Sequence, residues 1–297
     1  MPVTVPPHAP FVTFLDFPHV SDLDSLQADI AIMGLPYGDP YTAAEVTNDQ
    51  TNAPTAVRRA SPRLSLGLDR WDFDIGGTLF NGRDLRVVDV GDVTMRIGDP
   101  GGHYRRAEQA ARKILGAGAR LISIGGDHGV PIPVFRALEV VGPVTLVHID
   151  AHLDWRDEVN GVREGYSSPI RRASEMPHIR RIVQIGMRGQ GSARTEEVEA
   201  ARKWGAEIIT AWAPQDRGIA SVLASIPDGG RYYLTSDADG IDPSVMPAVA
   251  APAPGGVSYR DAIALIKGLC RKGTLVGMDV VEITPERDIN EITAIAA

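Results

Sequence analysis

The stretch Val144-Thr145-Leu146-Val147-His148-Ile149-Asp150-Ala151-His152-Leu153-Asp154-Trp155 decides how this chain is read. Its first half is a near-continuously apolar run, as expected for a strand covered on both faces. In an extended chain, side chains two residues apart point to the same side. Asp150, His152 and Asp154 therefore converge on one point as the strand Val144–Asp150 runs out into its loop. With His148, four potential metal ligands stand at alternate positions.

Two further segments read as parts of the same site. Gly125-Gly126-Asp127-His128-Gly129 follows the apolar run Arg120–Ile124, and Ser236-Asp237-Ala238-Asp239-Gly240-Ile241-Asp242-Pro243 follows Arg231–Thr235. Together the three segments offer two histidines (His128, His152) and four carboxylates (Asp150, Asp154, Asp237, Asp239). Other strand candidates are Asp29–Met33, Arg86–Val90, Arg181–Ile185, Ala206–Thr210 and Thr274–Val281. Helical periodicity covers Ala53–Ala60, Tyr104–Leu115, Ile132–Val140, Ala193–Trp204, Ile219–Ser225 and Tyr259–Leu269, with Ser258 as an N-cap and Gly205 as a stop. Strands alternating with helices predict βαβ units and a mostly parallel sheet. No repeat, low-complexity tract or linker divides the chain, so residues 1–297 read as a single domain. All three acidic motifs fall at strand carboxyl ends, where open parallel sheets bind ligands.

Six such ligands exceed what one small divalent ion needs, and a carboxylate shared between neighbouring ions allows a two-metal cluster. Asp and His without thiolate favour manganese, nickel, cobalt or iron over structural zinc. The net charge of -8 and the lack of a Lys/Arg-rich run argue against a nucleic-acid partner, and mild acidity fits a cationic substrate. No apolar run is long enough to span a bilayer. The single cysteine, Cys270, excludes an internal disulfide and a Cys-based zinc site; its place in the helical run Asp261–Cys270 predicts a buried structural thiol. Met1–Pro10 is Pro-rich without the basic and apolar regions of a signal peptide, which predicts a cytoplasmic, reducing location.

GGDHG, HIDAHLDW and SDADGIDPS, in this order, resemble the three signature segments of the arginase/agmatinase (ureohydrolase) family. MDVVEITPERD at 278–288 is similar to its fourth element and NAPTAVRRAS at 52–61 to its early helix. The resemblance covers nearly the whole chain. It implies a three-layer α/β/α fold with an eight-stranded sheet and a dinuclear centre, usually manganese with nickel as an alternative. It also implies hydrolysis of a small cationic guanidino substrate to an amine and urea, in a homo-oligomer, commonly a trimer or hexamer. Carried over by motif, one ion is held by His128, Asp150, Asp154 and Asp237, the other by Asp150, His152, Asp237 and Asp239. Glu282 matches the family's guanidinium-binding glutamate, which pairs with the planar cation through two charge-assisted hydrogen bonds. Asp154, on one ion only, is the metal-bound carboxylate expected to take a proton from the attacking water.

The pattern also breaks. Where the family has a histidine in His-Gly-Thr-Pro-Phe, this chain has Gly165-Tyr166-Ser167-Ser168-Pro169, which puts Tyr166 in the histidine's place. A phenol titrating near pH 10 is a poor proton shuttle, so either leaving-group protonation has another source or the substrate is other than agmatine and arginine, the second being the expectation. The loop Tyr41–Gln50 lacks the family's Gly and Arg residues and carries two acids, Glu45 and Asp49, that could receive a cation. Gly129 replaces a frequent serine, a change expected to loosen the surroundings of the histidine ligand. Thr235-Ser236 stands where the family often has Ser-Phe. The loop Trp155–Ser168 is the natural specificity element, with Arg156, Asp157, Glu158, Asn160, Arg163 and Glu164 as candidates for contacting the substrate tail. His148 reads as a core histidine or one behind the ligands, and His8, His19, His103 and His178 as surface or packing residues. Asn290–Ala297 resembles the first turn of a terminal helix that relatives extend. Two alternatives to guanidino hydrolysis stay open: hydrolysis of a formimino group, and a non-catalytic subunit paired with an active relative.

Overall fold

Eight segments form strands: β1 (Ile30–Leu35), β2 (Val87–Asp92), β3 (Arg120–Gly125), β4 (Val144–Ile149), β5 (Ile179–Met187), β6 (Glu207–Thr210), β7 (Arg231–Asp237) and β8 (Thr274–Val281). They make one sheet in the order β2-β1-β3-β8-β7-β4-β5-β6, and every neighbouring pair is parallel. This computed structural model describes residues 12–42, 45, 48–65, 67–96, 98–191 and 193–297. Met1–Pro10 with His8, and Ala43, Ala44, Val46 and Thr47 of the early loop, lie outside them.

The strands are apolar on both sides because helices cover both faces. On one face Ala107, Ala111 and Ile114 of helix Pro100–Gly116, Phe135 of Pro131–Ala137 and Ile170 of Pro169–Ser174 pack with Met33, Leu121, Leu146, Ile182 and Tyr233. On the other, Val57 of helix Ala53–Ala60, Val222 of Ile219–Ser225 and Leu265 and Leu269 of Tyr259–Lys272 pack with Ile32, Val147, Ile149, Val183 and Leu234. Successive strand residues thus alternate between two cores, giving three layers. Ser258 caps the helix Tyr259–Lys272, its hydroxyl accepting from Asp261 N–H at 3.1 Å. Gly205 ends Thr195–Trp204 in the left-handed region at φ 101°.

Some elements depart from the sequence reading. The helix expected from Tyr104 starts at Pro100, where Asp99 accepts the Gly102 N–H at 2.8 Å; Pro-Gly-Gly hides this start. The helix expected over Ile132–Val140 tightens to a 3₁₀ turn from Leu138. Cys270 is exposed, not buried. The buried side of its helix runs through Leu265, Gly268 and Leu269, and one further residue rotates about 100° round the helix axis, into solvent. No helix among the described residues is long and apolar enough to cross a membrane.

Candidate metal centre

β3, β8, β7 and β4 are consecutive in the sheet, and their carboxyl ends deliver His128, Glu282, Asp237 with Asp239, and Asp150 with His152 and Asp154. The His128 Nδ1 atom lies 3.2 Å from Asp150 Oδ2, 3.1 Å from Asp154 Oδ2 and 3.1 Å from Asp237 Oδ2. His152 Nδ1 lies 3.3 Å from Asp150 Oδ1 and 3.1 Å from Asp239 Oδ2. Asp150 therefore presents one oxygen to each histidine and joins two clusters. Glu282 closes the group: its Oε1 accepts the His128 N–H at 2.7 Å and its Oε2 the Gln50 amide at 3.0 Å. Asp154 and Glu282 both hold positive φ, 52° and 65°. Such backbone costs a non-glycine residue on the order of 1–3 kcal/mol and persists where surrounding structure enforces it.

The electrostatics before any cation binds are those of crowded acids. Burial and then neighbouring carboxylates raise Asp237 well above the usual carboxylate range, and burial and Asp150 push Asp154 up to about 7. Burial also opposes ionisation of Asp150, yet His148, His128 and His152 around it hold its carboxyl well below the usual range. His152 is pushed up to about 12 against its own desolvation by Asp150 and Asp239. Asp154 Oδ2 is buried without a hydrogen-bond donor. Hard oxygen and nitrogen donors, mutual repulsion and an orphaned buried oxygen fit divalent cations, which supply the missing positive charge.

The centre forms the floor of a cavity of about 480 Å³. Tyr41, Glu45, Arg156, Asn160 and Tyr166 are on its outer wall, while Gln50, His152, Asp154, Asp237, Asp239 and Glu282 line its inner end. The loop candidates divide. Asn160 lines the cavity and donates to Tyr41 O at 3.2 Å; Arg156 lines it with its Nε 2.6 Å from Glu197 Oε1. Arg163 is not among the lining residues and pairs with Asp157 at 3.3 Å, Glu158 accepts the Gly161 N–H at 3.2 Å, and Glu164 pairs with Arg136. Tyr166 donates its hydroxyl to Glu45 Oε2 at 3.0 Å. Asp49 turns elsewhere, accepting the Glu286 N–H at 3.0 Å.

The arginase family profile matches residues 28–297. The chain is 34% identical over 290 residues to an agmatinase of Photorhabdus laumondii subsp. laumondii, covering 95% of this chain and 88% of that one. It is 31% identical over 292 residues to a guanidinobutyrase of Pseudomonas aeruginosa, again covering 95% and 88%. This chain belongs to the arginase family. A crystal structure described as a hypothetical agmatinase from Burkholderia thailandensis superposes with a TM-score of 0.79 at 30% identity, covering 97% of this chain and 87% of that one. Membership of the arginase family thus extends from the sequence to the eight-stranded sheet.

Beneath the candidate ligands of this arginase-family chain lies a row of polar side chains that sequence reasoning did not single out as a unit. Ser123, Asp279, Thr235, His148 and Gln184 pair in register across β3, β8, β7, β4 and β5, and all are fully buried. Each stands two residues before the strand-end level of the ligands, so it faces the same side. The Thr235 hydroxyl donates to Asp279 Oδ1 at 2.7 Å, so His128 Nε2–H donates to Thr235 Oγ1 at 3.0 Å. That leaves His128 Nδ1 facing the carboxylates, where a cation would replace its proton and meet the lone pair a ligand requires. The Gln184 amide donates to Leu153 O at 2.8 Å and to His148 Nδ1 at 3.1 Å, so His148 Nε2–H donates to Asp150 Oδ2 at 2.8 Å. His148 therefore stands behind Asp150 and orients it, although its nitrogen is within 4.8 Å of the ligand atoms. Gly129 does not loosen this shell: a Cβ there would sit 2.7 Å from Tyr104 Oη and 2.9 Å from Glu164 O, so the contact itself demands glycine. Of the other histidines, His103 is fully buried against Tyr37, ring centroids 4.8 Å apart, and His178 bonds Phe135 O at 2.7 Å.

Proposed function

We propose that this chain hydrolyses a guanidino compound to an amine and urea on a pair of divalent ions, manganese first among them. One ion would be held by His128, Asp150, Asp154 and Asp237, the other by Asp150, His152, Asp237 and Asp239. The observation that carries this reading is the division of Asp150 between two histidine clusters, one oxygen to each. Carboxylate and imidazole donors without thiolate support manganese, with nickel as the alternative. When bound, such a pair would supply hydroxide at neutral pH by lowering the pKa of a bound water.

The chain's own residues do the rest. Each Glu282 oxygen accepts one protein donor, which leaves a lone pair on each for the parallel N–H groups of a guanidinium. Asp154, held on one ion only and lining the cavity, is placed to accept the proton of the attacking water and return it to the leaving nitrogen. The balance closes: the guanidinium and water become urea and a protonated amine. Tyr166 stays outside the proton path. Its proton is committed to Glu45, and burial with that neighbour pushes its pKa further above 10. Asn160 and Tyr166 shape the outer wall for the substrate tail, whereas Arg163, paired with Asp157, has no part in it.

The proposal extends to one catalytic domain spanning the chain and to a homo-oligomer, on the strength of the family resemblance, and to a cytoplasmic location, which the single cysteine supports; light scattering on the purified protein reads the subunit count. The decisive experiment is urea release by protein loaded separately with manganese and nickel, against agmatine, arginine, 4-guanidinobutyrate, guanidine and alkylguanidines. Urea from any of them, with two metals per chain, is the expected result. Formamide from a formimino substrate instead, or protein that binds no metal, overturns it.

A further inference from the structure

The outer wall of the cavity holds a carboxylate that the hydrolytic chemistry does not use. Glu45 Oε2 accepts the Tyr41 N–H at 2.8 Å and the Tyr166 hydroxyl at 3.0 Å, and Oε1 accepts the Thr42 hydroxyl at 3.2 Å. Three donors fix the group but occupy only three of its roughly four acceptor sites. Among the described residues, no Lys, Arg or His lies within ion-pair distance of it. A charged side chain so fixed, unpaired and facing a cavity is an acceptor awaiting a donor.

The remaining wall gives a substrate carboxylate little to bind. His152 and Arg156 are the basic residues among the lining. His152 sits at the inner end between Asp150 and Asp239, and Arg156 is already neutralised by Glu197 at 2.6 Å. The rings of Tyr41 and Tyr166, with centroids 4.3 Å apart, line the cavity beside Glu45 and bring no positive charge to it.

We infer that Glu45 is the specificity residue of this cavity, selecting substrates whose far end carries a protonated amine and disfavouring those that end in a carboxylate. The inference rests on the guanidino-hydrolase reading for the near end of the substrate. It also gives the Tyr166 exchange a purpose: the phenol holds Glu45 in place, which keeps agmatine within the accepted class.

Two readouts on the metal-loaded full chain test it. The first is the ratio of kcat/KM for 4-aminobutylguanidine over that for 4-guanidinobutyrate, in the wild type and in Glu45→Gln and Glu45→Lys. The second is calorimetric binding of 1,4-diaminobutane against 4-aminobutyrate, which needs no turnover. The wild type is expected to favour the amine-tailed member of each pair. Glu45→Gln should cut that preference about 10- to 100-fold, the loss of one charge-assisted contact, and Glu45→Lys should reverse it. Preference for the carboxylate-tailed compounds, or a ratio unmoved in both variants, overturns the role of Glu45 while leaving urea release intact. Selective diamine binding lost in Glu45→Gln, without urea from any compound, upholds Glu45 and sinks the hydrolase reading instead.

Discussion

The two ends of the cavity are built differently. At the inner end the functional side chains leave strand termini, and side-chain partners fix several of them: His128 by Thr235, Asp150 by His148, Glu282 by Gln50. At the outer end the residues sit on loops, and their partners are other loop residues, as with Tyr166, Glu45 and Tyr41. Strand ends are pinned by a ladder of hydrogen bonds and two packed cores, so atoms there can be placed to the precision that metals and bond-breaking demand. Loops carry fewer such constraints and are where a fold changes its substrate without disturbing its chemistry.

If the inner end is a metal centre, Asp237→Ala gives the largest effect. Elemental analysis should find the two ions per chain lost or halved, and urea release should fall by at least about 10³-fold, the several kcal/mol such ions supply. Full metal content and turnover in this variant would remove Asp237 from the site. The support from behind should matter next. Thr235→Val keeps the shape but deletes the hydroxyl between His128 and Asp279, and metal affinity should weaken about 10- to 100-fold, with Thr235→Ser restoring most of it. Equal affinity in all three proteins breaks the contrast between the two ends.

Stability of the metal-stripped protein reads the crowding directly. Asp127 is pushed up to about 8 by burial and Glu282, Asp154 to about 7 and His152 to about 12. Each folded value lies above the unfolded one, so between pH 6.5 and 8.5 the folded state holds more protons than the unfolded chain. Stability must then fall as pH rises, by on the order of 1 kcal/mol per pH unit for each proton retained. His103 and His148, both shifted downward by burial, oppose this at the lower end of the window, where unfolded imidazoles titrating near 6.5 still hold protons, and the opposition fades toward pH 8. Metal binding requires the deprotonated ligands, so loading should reverse the slope. Thermal melts at three pH values, with and without manganese, check both signs. The smallest effect belongs to the outer wall: Tyr166→Phe should lower kcat/KM for an amine-tailed substrate by roughly 5-fold through a less fixed Glu45, leaving the pH–rate profile unchanged. A profile that loses a limb would return the hydroxyl to the proton path.

The legible parts of the sequence were those governed by short periods. The eight strands follow from short apolar runs. Alternation grouped Asp150, His152 and Asp154, but the strand ends at Ile149 and Asp154 turns into the left-handed region, so the three divide between two clusters that share Asp150. A period of 3.6 is less forgiving, and an error of one step on the helix Tyr259–Lys272 separates buried Leu269 from exposed Cys270. Thr235 and Asp279 carried no signal as partners, because nothing local states that β7 and β8 are neighbours. The division of the rim, with Asn160 and Glu45 on the cavity and Arg163 and Asp49 off it, was equally hidden. Loop conformation has no period to read.

By itself, the sequence determined the element types, the two-sided burial of the strands and the acidic and histidine side chains placed at their ends. These depend on backbone pleat and side-chain chemistry, which act over a few residues. Only the tertiary structure decided that β8 and β7, the last strands in the chain, insert between β3 and β4. That insertion brings Asp237 and Glu282 between His128 and Asp150, lines up the buried row from Ser123 to Gln184 and leaves Glu45 facing the finished cavity. Strand order is set by which arrangement buries every apolar face at once, a property of the whole chain that no single segment contains.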